Sequence, residues 1–379
     1  MPSMSLKHKI KLFSNFVLAG RFREIYNMLW VYPLWWNRRT AALILNKILP
    51  KLGIDLFPPF LEIEPTTVCN FACLCCEHRY WKEPSKNMSF EQFKKIFDDF
   101  GKPKWIGLTG IGSSYLNKDY HKMMRYIKSK GTIIEVFDHF AHFKDDNQIK
   151  ELIEIGPDFQ FLSVYGASKE SFEAVCVGSD FDKIMKNLRT FVKLKKQMKK
   201  RFPILNFHYI ITSKSKNEIL DFIDLVHSLN TEVGEILVTP MLHTYKEAEK
   251  FSVRIDKDYV EKVNARAKKY NIPITINMSA KQEAEGLSCK PPIRNCKEYI
   301  MPFIFVTGHV TPCCAQNEDN QRDWQKKLSL GNALEQPFRK IWYSPRYINM
   351  RKMIRNNKCP KECSHCPAYD LKGCGMKSD

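Results

Sequence analysis

Three closely spaced cysteines, Cys69, Cys73 and Cys76, are the residues whose type and spacing most clearly indicate chemistry. Thiolates are preferred ligands of iron–sulfur clusters, and three of them can hold three irons of a four-iron cluster. The fourth iron then stays open to a small chelating ligand. Zinc and chance packing are the alternatives, but structural zinc usually takes four ligands in paired spacing. The triplet therefore favours a [4Fe–4S] cluster with one open iron.

The other cysteines lie mostly near the end of the chain. Of thirteen cysteines, four fall within 69–76, eight within 289–374, and only Cys176 lies between. The chain start lacks an export-signal pattern and no run of 18 uncharged apolar residues occurs, so we expect a cytoplasmic protein. In a reducing compartment, dense cysteines indicate metal or redox sites rather than disulfides. The distribution predicts two metal sites.

Strands alternating with helices are the elements that would position the first site. The predicted strands are 61–65, 105–109, 132–137, 159–164, 205–211 and 235–239. The predicted helices are about 89–99, 117–130, 146–155, 168–200 with a break near Gly178, 215–229 and 257–270. Parallel strands need such crossover helices, and six units fit a partial (β/α)6 TIM-like barrel of the α/β class. Chemistry in such barrels sits at the carboxyl ends of strands, where the first cysteine group begins.

Composition divides the chain into three predicted domains. Residues 1–57 form a basic, aromatic-rich helical extension, 58–280 the barrel, and 281–379 a small cysteine-rich module. Residues 1–53 hold nine Lys or Arg against one acid, together with Phe13, Phe16, Phe22, Leu29, Trp30, Trp35 and Trp36. One interpretation is a helical hairpin over the barrel's open side, with the aromatic side chains buried. The others are a protein partner, or an anionic membrane surface where a lipid-linked or membrane-derived substrate reaches the barrel mouth.

The net charge of +19 leaves other classes of protein to consider. The densest run, KLKKQMKKR at 193–201, ends a predicted helix, where cations suit the helix dipole and a solvated face. A zinc- and nucleic-acid-binding protein would use the charge and the cysteines, but would need neither the barrel nor an unpaired triplet. We therefore expect no nucleic-acid partner. An iron–sulfur electron-transfer protein is the second alternative.

The cysteine triplet after the first strand resembles the signature of the radical S-adenosylmethionine superfamily. The acidic-Thr segment 64–67 strengthens the resemblance, which spans about 58–280. It implies that the amino and carboxylate groups of S-adenosylmethionine chelate the open iron. One electron from the cluster then yields methionine and a 5′-deoxyadenosyl radical, which abstracts hydrogen from the substrate. It also implies an electron donor such as flavodoxin or ferredoxin.

Two further segments resemble cofactor-binding regions of that superfamily. TGIGSSYLN at 109–117 is similar to the glycine-rich segment after strand two, and SVYGASKESFE at 163–173 to the region around strand four. The resemblance implies cofactor contacts from Gly110, Gly112, Ser113 and Ser163. Four positions depart from the usual pattern. Ser113 occupies the position of the usual Glu, and Tyr165 that of the usual Asp. Cys176 replaces the usual Arg, and Cys75 replaces an aromatic residue.

The second cysteine region resembles the SPASM or shorter twitch extension, which carries auxiliary iron–sulfur clusters. The matching points are Cys296-x11-Gly308-x4-Cys313, the Leu-Gly-Asn at 330–332, and Cys363-x2-Cys366. We predict one auxiliary [4Fe–4S] cluster on Cys296, Cys313, Cys363 and Cys366. Cys314 is the alternative to Cys313, and Cys289, Cys359 and Cys374 are possible extra ligands. A structural zinc site is the alternative reading of the four thiolates.

The resemblance to SPASM enzymes also bears on the reaction. An auxiliary cluster accepts the electron left after hydrogen abstraction or binds the substrate directly. Either role favours an oxidative or coupling reaction, with redox-neutral chemistry as the alternative. Related proteins modify peptides or dehydrogenate small polyols, so we expect a small-molecule, peptide or lipid-linked substrate.

Overall fold

The protein is described here from a computed structural model. The structure describes residues 6–35, 37–80, 83–240, 246–277, 291–314, 322–364, 366 and 369. Trp36, Cys289 and Cys374 lie outside these ranges, as does the side chain of Trp35. The predictions made for these four residues therefore have no structural description.

One nine-stranded sheet organises the chain. Its strands are β1 Phe60–Ile63, β2 Trp105–Leu108, β3 Ile133–Asp138, β4 Phe159–Ser163, β5 Ile204–Ile211, β6 Val233–Pro240, β7 Ile274–Ile276, β8 Phe303–Ile304 and β9 Val310–Thr311. Their order is β7-β6-β5-β4-β3-β2-β1-β8-β9, and every pairing is parallel except β8 with β9. Each of the first seven strands lies beside its sequence neighbour, as in a TIM-like barrel. The predicted partial α/β barrel is confirmed.

Helices connect these strands. The helices are α1 Leu6–Leu18, α2 Phe22–Trp35, α3 Arg38–Leu43, α4 Leu49–Lys51, α5 Phe90–Phe100, α6 Tyr120–Lys130, α7 Asp146–Ile155, α8 Lys169–Val175, α9 Phe181–Gln197, α10 Ile219–Ser228, α11 Lys246–Glu249, α12 Lys257–Lys269, α13 Arg322–Leu328, α14 Phe338–Trp342 and α15 Pro345–Arg355. A π-helix at Ile44–Ile48 joins α3 to α4. Short 3-10 turns lie at Glu77–Tyr80, Ser114–Leu116, Lys216–Glu218, Ile293–Asn295, Glu298–Ile300 and Lys361–Cys363.

Local sequence explains where these helices begin and end. Ser89 and Gln92 form a reciprocal capping box at the start of α5, and Gly101 in the left-handed region ends that helix. Gly131 and Gly156 end α6 and α7 in the same conformation. The predicted break near Gly178 separates α8 from α9, and Asp180 caps α9. At the end of α5, α6 and α7 the chain turns back into the next strand.

The cysteine-rich region extends the barrel sheet. β8 lies parallel to β1, with Glu62 opposite Phe303 and Ile63 opposite Ile304. β9 then folds back on β8 through a turn at Gly308, whose φ of 83° favours glycine. The cysteine-rich region is therefore hydrogen-bonded, through β8, to the strand that leads into the first cysteine group.

The N-terminal hairpin packs against the amino ends of the barrel strands. Phe16 in α1 is fully buried and meets Phe202 at a centroid distance of 4.7 Å, just before β5. The expected position over the barrel's open side is therefore wrong, because these contacts lie at one end of the barrel. The expected burial of the aromatic side chains holds for Phe16 but not for Phe13, Phe22 or Trp30.

Candidate active site

A cavity of about 490 Å³ opens at the carboxyl ends of the strands. Its size is typical of small-molecule sites. All seven barrel residues predicted to bind a cluster or cofactor line this one cavity: Cys69, Cys73, Cys76, Gly110, Gly112, Ser113 and Ser163. The structure therefore brings together side chains that are up to 94 positions apart in the sequence.

Backbone contacts hold the cysteine loop in place. The Sγ of Cys69 accepts from the Phe71 N–H at 3.5 Å, and the Sγ of Cys76 from the His78 N–H at 3.4 Å. Such N–H donors stabilise a thiolate more than a thiol. Burial acts in the opposite direction and raises the pKa of the Cys69 thiol to about 11. Both thiols therefore lie where a bound cation would be needed to keep them ionised.

Cys176 faces the middle cysteine of the triplet. The Ala72 N–H donates to the Val177 carbonyl at 2.9 Å, and the Leu74 N–H to the Val175 carbonyl at 2.8 Å. These two bonds place Cys73 opposite Cys176, and burial together with the neighbouring Cys73 raises the pKa of the Cys176 thiol well above its usual range. The residue that replaces the family's usual Arg is thus a second thiol beside the predicted cluster.

The two predicted glycines are required by packing behind the cavity. A Cβ at Gly110 would lie 2.4 Å from the Glu64 Cγ, and one at Gly112 would lie 2.5 Å from the Thr66 carbonyl oxygen. The Ser113 N–H also donates to the Val68 carbonyl at 2.8 Å. This loop is therefore pressed against the segment that leads into the cysteine triplet, and side chains at either glycine would separate the two.

Asp138, at the end of β3, is a cavity residue that the sequence analysis missed. Its carboxylate accepts from the Ser113 hydroxyl at 2.9 Å and from the His139 N–H at 2.7 Å, and it lies 3.1 Å from the His142 Nδ1. Burial favours the neutral acid, but the neighbouring His142 and the hydrogen bond from the His139 backbone N–H hold its pKa well below the usual range. Ser113, where the family usually has Glu, thus contacts an ionised carboxylate. The sequence feature that could have revealed Asp138 as a cavity residue is its position as an acidic residue at the carboxyl end of a strand.

Two histidines of the cavity wall were also missed. The Nδ1 of His139 accepts from the Ala141 N–H at 3.2 Å, and burial lowers the pKa of this imidazole, so its proton lies on Nε2. That Nε2 is buried, and no residue in the described part of the chain forms a hydrogen bond with it. His208 contacts the Thr239 hydroxyl at 2.8 Å, and burial lowers its pKa to about 4, so it is neutral. The signal for His208 was a polar residue inside an apolar strand.

The second cysteine group is brought together beside the barrel. Cys363 lies within electrostatic range of Cys296, Cys313, Cys359 and Cys366, and burial followed by these neighbours raises its pKa well above the usual range. Burial raises the pKa of Cys296 to about 12. The next residue along the chain, Cys314, instead lines the barrel cavity. Two consecutive cysteines, Cys313 and Cys314, therefore lie at two different places in the structure.

A buried ion pair joins the two cysteine regions. An Arg322 guanidinium nitrogen lies 2.7 Å from the Glu64 carboxylate, and their side chains are 3% and 0% exposed. The Val306 N–H donates to the same carboxylate at 3.1 Å, and Arg322 stacks on Phe305. Glu64, part of the acidic-Thr segment of the resemblance, therefore binds the cysteine-rich region.

The donor sets fit iron–sulfur clusters. Six cysteines line the cavity, among them Cys69, Cys73 and Cys76. The His139 Nε2, which no described residue bonds, lies in the cavity wall, where a polar ligand would satisfy it. Among the described residues, no three His, Cys, Asp or Glu side chains converge on a point that would hold a single metal ion. In an iron–sulfur cluster the cysteines bind different irons and need not converge on one point.

Two family models match the sequence in the same two regions. The model of the Radical SAM superfamily matches residues 63–226, and the SPASM iron-sulfur cluster-binding domain matches 296–367. The chain therefore contains a Radical SAM domain followed by a SPASM domain. The resemblance inferred from the cysteine spacing is therefore confirmed, as are the predicted cofactors: a [4Fe–4S] cluster, S-adenosylmethionine and auxiliary iron–sulfur binding.

Relatives of this radical SAM protein cover most of its length. A tungsten-containing aldehyde ferredoxin oxidoreductase cofactor-modifying protein of Pyrococcus furiosus is 25% identical over 335 residues, covering 82% of this chain and 88% of that protein. SuiB of Streptococcus suis bound to S-adenosylmethionine is 16% identical, with a TM-score of 0.62 over 89% of this chain and 76% of SuiB. SuiB bound to the precursor peptide SuiA is also 16% identical, with a TM-score of 0.64 over 86% of this chain and 74% of SuiB. The SuiB structures support the fold.

The expectation about membranes is tested only for spanning helices. No helix within the described part of the radical SAM protein has the length and apolar character needed to cross a bilayer. The predicted domain boundaries and the assignment of individual ligands stay predictions.

Proposed function

We propose that this radical SAM protein holds its catalytic [4Fe–4S] cluster through Cys69, Cys73 and Cys76. Gly110, Gly112, Ser113 and Ser163 would place S-adenosylmethionine beside it. The observation that carries the proposal is the convergence of all seven residues on one cavity at the carboxyl ends of the strands. When bound, the cluster would supply the electron for reductive cleavage of S-adenosylmethionine, and the cleaved cofactor would provide the means to take a hydrogen atom from the substrate.

Polar groups of the cavity wall would orient the bound molecules. The ionised Asp138 places negative charge at the wall, which favours the cationic S-adenosylmethionine. The Nε2–H of His139 is available to donate to an acceptor of cofactor or substrate. Apolar side chains such as Phe137 and Leu237 line the same cavity and would limit water around a reactive radical.

The second half of the proposal is one auxiliary [4Fe–4S] cluster on Cys296, Cys313, Cys363 and Cys366. The grouping of these four thiols around Cys363 supports it. Because Cys314 lines the barrel cavity, Cys313 is the better ligand of the two. The two adjacent residues would give a short covalent path from the auxiliary cluster to the wall of the barrel cavity. This arrangement supports an oxidative or coupling reaction in which the substrate radical loses one electron and one proton.

The proposed substrate is a small polyol, a peptide or a lipid-linked molecule. The Pyrococcus relative is named for modifying a cofactor, and SuiB was solved with a bound precursor peptide. Because the cavity of about 490 Å³ must also hold S-adenosylmethionine, it would enclose only the reacting part of a large substrate. The proposal includes an external electron donor such as flavodoxin or ferredoxin, a cytoplasmic location, and peripheral contact with an anionic membrane.

Anaerobic reconstitution with iron and sulfide tests the radical function. After reduction by dithionite, the protein should convert S-adenosylmethionine into methionine and 5′-deoxyadenosine, which liquid chromatography with mass spectrometry detects. The matched control is the Cys359→Ala variant, because Cys359 lies outside both proposed ligand sets. It should retain cleavage, whereas the Cys69→Ala/Cys73→Ala/Cys76→Ala variant should not.

Other outcomes would identify the alternatives. A reducible iron–sulfur protein that forms no 5′-deoxyadenosine would be an electron carrier. Stoichiometric zinc that iron cannot replace in the 296–366 region would make that region a structural zinc site.

A further inference from the structure

We infer that the end of the barrel opposite the cavity docks on an anionic phospholipid surface. The docking face consists of α1, α2 and the basic loops at the amino ends of the strands. The inference does not depend on the radical chemistry, since it rests on a different end of the molecule.

The inner face of the hairpin is fixed to the barrel. His8 contacts the Asn271 carbonyl at 2.8 Å, and Asn15 donates to the Glu232 carboxylate at 2.9 Å. Asn27 donates to the Gly131 carbonyl, also at 2.8 Å. The barrel partners precede β7, β6 and β3, so both helices lie across the amino ends of the strands. Their other faces must point away from the barrel.

These outward faces are unusually apolar. Ten of the seventeen large apolar side chains with substantial exposure, among the residues that the structure describes, lie in α1 or α2. In α1 the exposed residues follow helical spacing: Leu6, Ile10, Phe13 and Val17. In α2 they do the same: Phe22, Tyr26, Leu29 and Trp30, with Phe22 68% exposed. When a helix buries one face and exposes a second apolar face, the exposed face marks a site of interaction with a membrane or another protein.

A basic cavity flanks this apolar surface. It measures about 370 Å³ and is lined by four cations, Arg23, Lys102, Lys104 and Lys130, beside the exposed rings of Phe22 and Tyr26. None of its ten lining residues is acidic. Further exposed cations, Lys199, Lys200, Arg201, Lys268 and Lys269, precede β5 and β7 at the same end of the barrel. The docking face therefore combines apolar side chains with clustered positive charge.

This combination selects the occupant. Aromatic and aliphatic side chains beside clustered Lys and Arg are what interfacial proteins insert among anionic headgroups, and each cation near such a surface adds to the binding. A second copy of this chain would fit less well, because an isologous contact would bring the basic cavity against its own equivalent. We therefore assign the cavity of Arg23, Lys102, Lys104 and Lys130 to phospholipid headgroups.

Docking by this face fixes the orientation of the enzyme. The active-site cavity lies at the carboxyl ends of the strands, whereas the docking face lies at their amino ends. The eight-residue strand β5 spans roughly 26 Å between these ends, at about 3.3 Å per residue. The mouth would therefore face the solution, so the expectation that a membrane-derived substrate reaches the mouth directly from the bilayer is not supported.

Co-sedimentation of the full chain with vesicles tests the inference. The protein should bind phosphatidylcholine vesicles that contain phosphatidylglycerol, and it should dissociate from them at high salt. It should not bind vesicles of pure phosphatidylcholine. The Arg23→Gln/Lys102→Gln/Lys130→Gln variant should partition roughly 100-fold more weakly. The matched control carries the same charge change at the mouth end, as Lys118→Gln/Lys144→Gln/Lys214→Gln, and should bind like the wild type.

A second variant tests the apolar contribution. The Phe13→Ser/Phe22→Ser variant, confirmed as folded by its circular dichroism, should also bind anionic vesicles more weakly. No binding at low salt, or equal loss in both charge variants, overturns the inference. Light scattering that finds a dimer in the wild type and a monomer in the Phe13→Ser/Phe22→Ser variant, without vesicle binding, would assign the face to a second copy. Cleavage of S-adenosylmethionine should be unchanged in the docking-face variants, so the two proposals fail separately.

Discussion

The two cysteine regions use the same side chain in different surroundings. In the barrel, three cysteines lie on one loop that backbone bonds fix to neighbouring loops, with Cys176 facing Cys73. In the SPASM region, which is residues 296–367, thiols from distant segments lie around Cys363. Three thiol ligands on one loop would leave one iron of a four-iron cluster open for a cofactor, whereas four thiol ligands would saturate a cluster. With the proposed ligand sets, the reaction would take place at the first site, and the second would serve electron transfer or substrate binding.

Removing the barrel triplet should have the largest effect. The Cys69→Ala/Cys73→Ala/Cys76→Ala variant should form no 5′-deoxyadenosine and should retain about four of roughly eight irons per chain, at four irons per cluster. Iron analysis and product chromatography measure both quantities. Residual cleavage would contradict the ligand assignment. In a Cys76→Ala single variant, residual cleavage would instead point to Cys75, which is buried in the same cavity.

Removing two thiols of the SPASM region should separate cleavage from product formation. The Cys363→Ala/Cys366→Ala variant should also retain about four irons. It should still cleave S-adenosylmethionine but form no product, because the second cluster would be lost while the first remains. If cleavage disappears as well, the two regions do not act separately. An iron content near twelve in the wild type would show that a second auxiliary cluster is present.

Breaking the connection between the regions should destabilise the protein. In the Arg322→Met variant, the buried Glu64 carboxylate loses its guanidinium partner, which should cost about 3–5 kcal/mol. Thermal unfolding of the reconstituted protein should show a clearly lower midpoint. The Glu64→Gln/Arg322→Met variant removes both charges and should recover most of the loss. If the double variant is no more stable than Arg322→Met, the buried charge is not the cause.

The contact between Cys176 and Cys73 predicts the smallest effect. A hydrogen bond to a ligand sulfur stabilises the reduced cluster, which carries more negative charge. Loss of about 1 kcal/mol in the Cys176→Ala variant would lower the one-electron potential by roughly 40 mV. Cys176→Ser keeps a donor and is the matched control in a potentiometric titration followed by electron paramagnetic resonance. Equal potentials in the wild type and Cys176→Ala would rule out this role.

Local patterns in the sequence predicted most of the barrel. The six predicted strands and the break near Gly178 are confirmed, because alternating apolar runs, capping residues and glycine stops act within a few residues of one another. β7 was missed, since three half-buried residues give little periodicity. The pairing of β8 with β1 was also missed, because it joins segments about 240 residues apart.

The sequence by itself determined the chemistry. The Cys-x3-Cys-x2-Cys spacing acts within a single loop, so it is readable without a fold, and it predicted the superfamily and its cofactors. Tertiary structure alone decided which distant groups meet at the site. It put Asp138 beside Ser113, Cys176 against Cys73, and Cys314 in the barrel cavity. It also placed the apolar hairpin at the end opposite the mouth, because only the closed packing of helices and strands fixes which end each loop occupies.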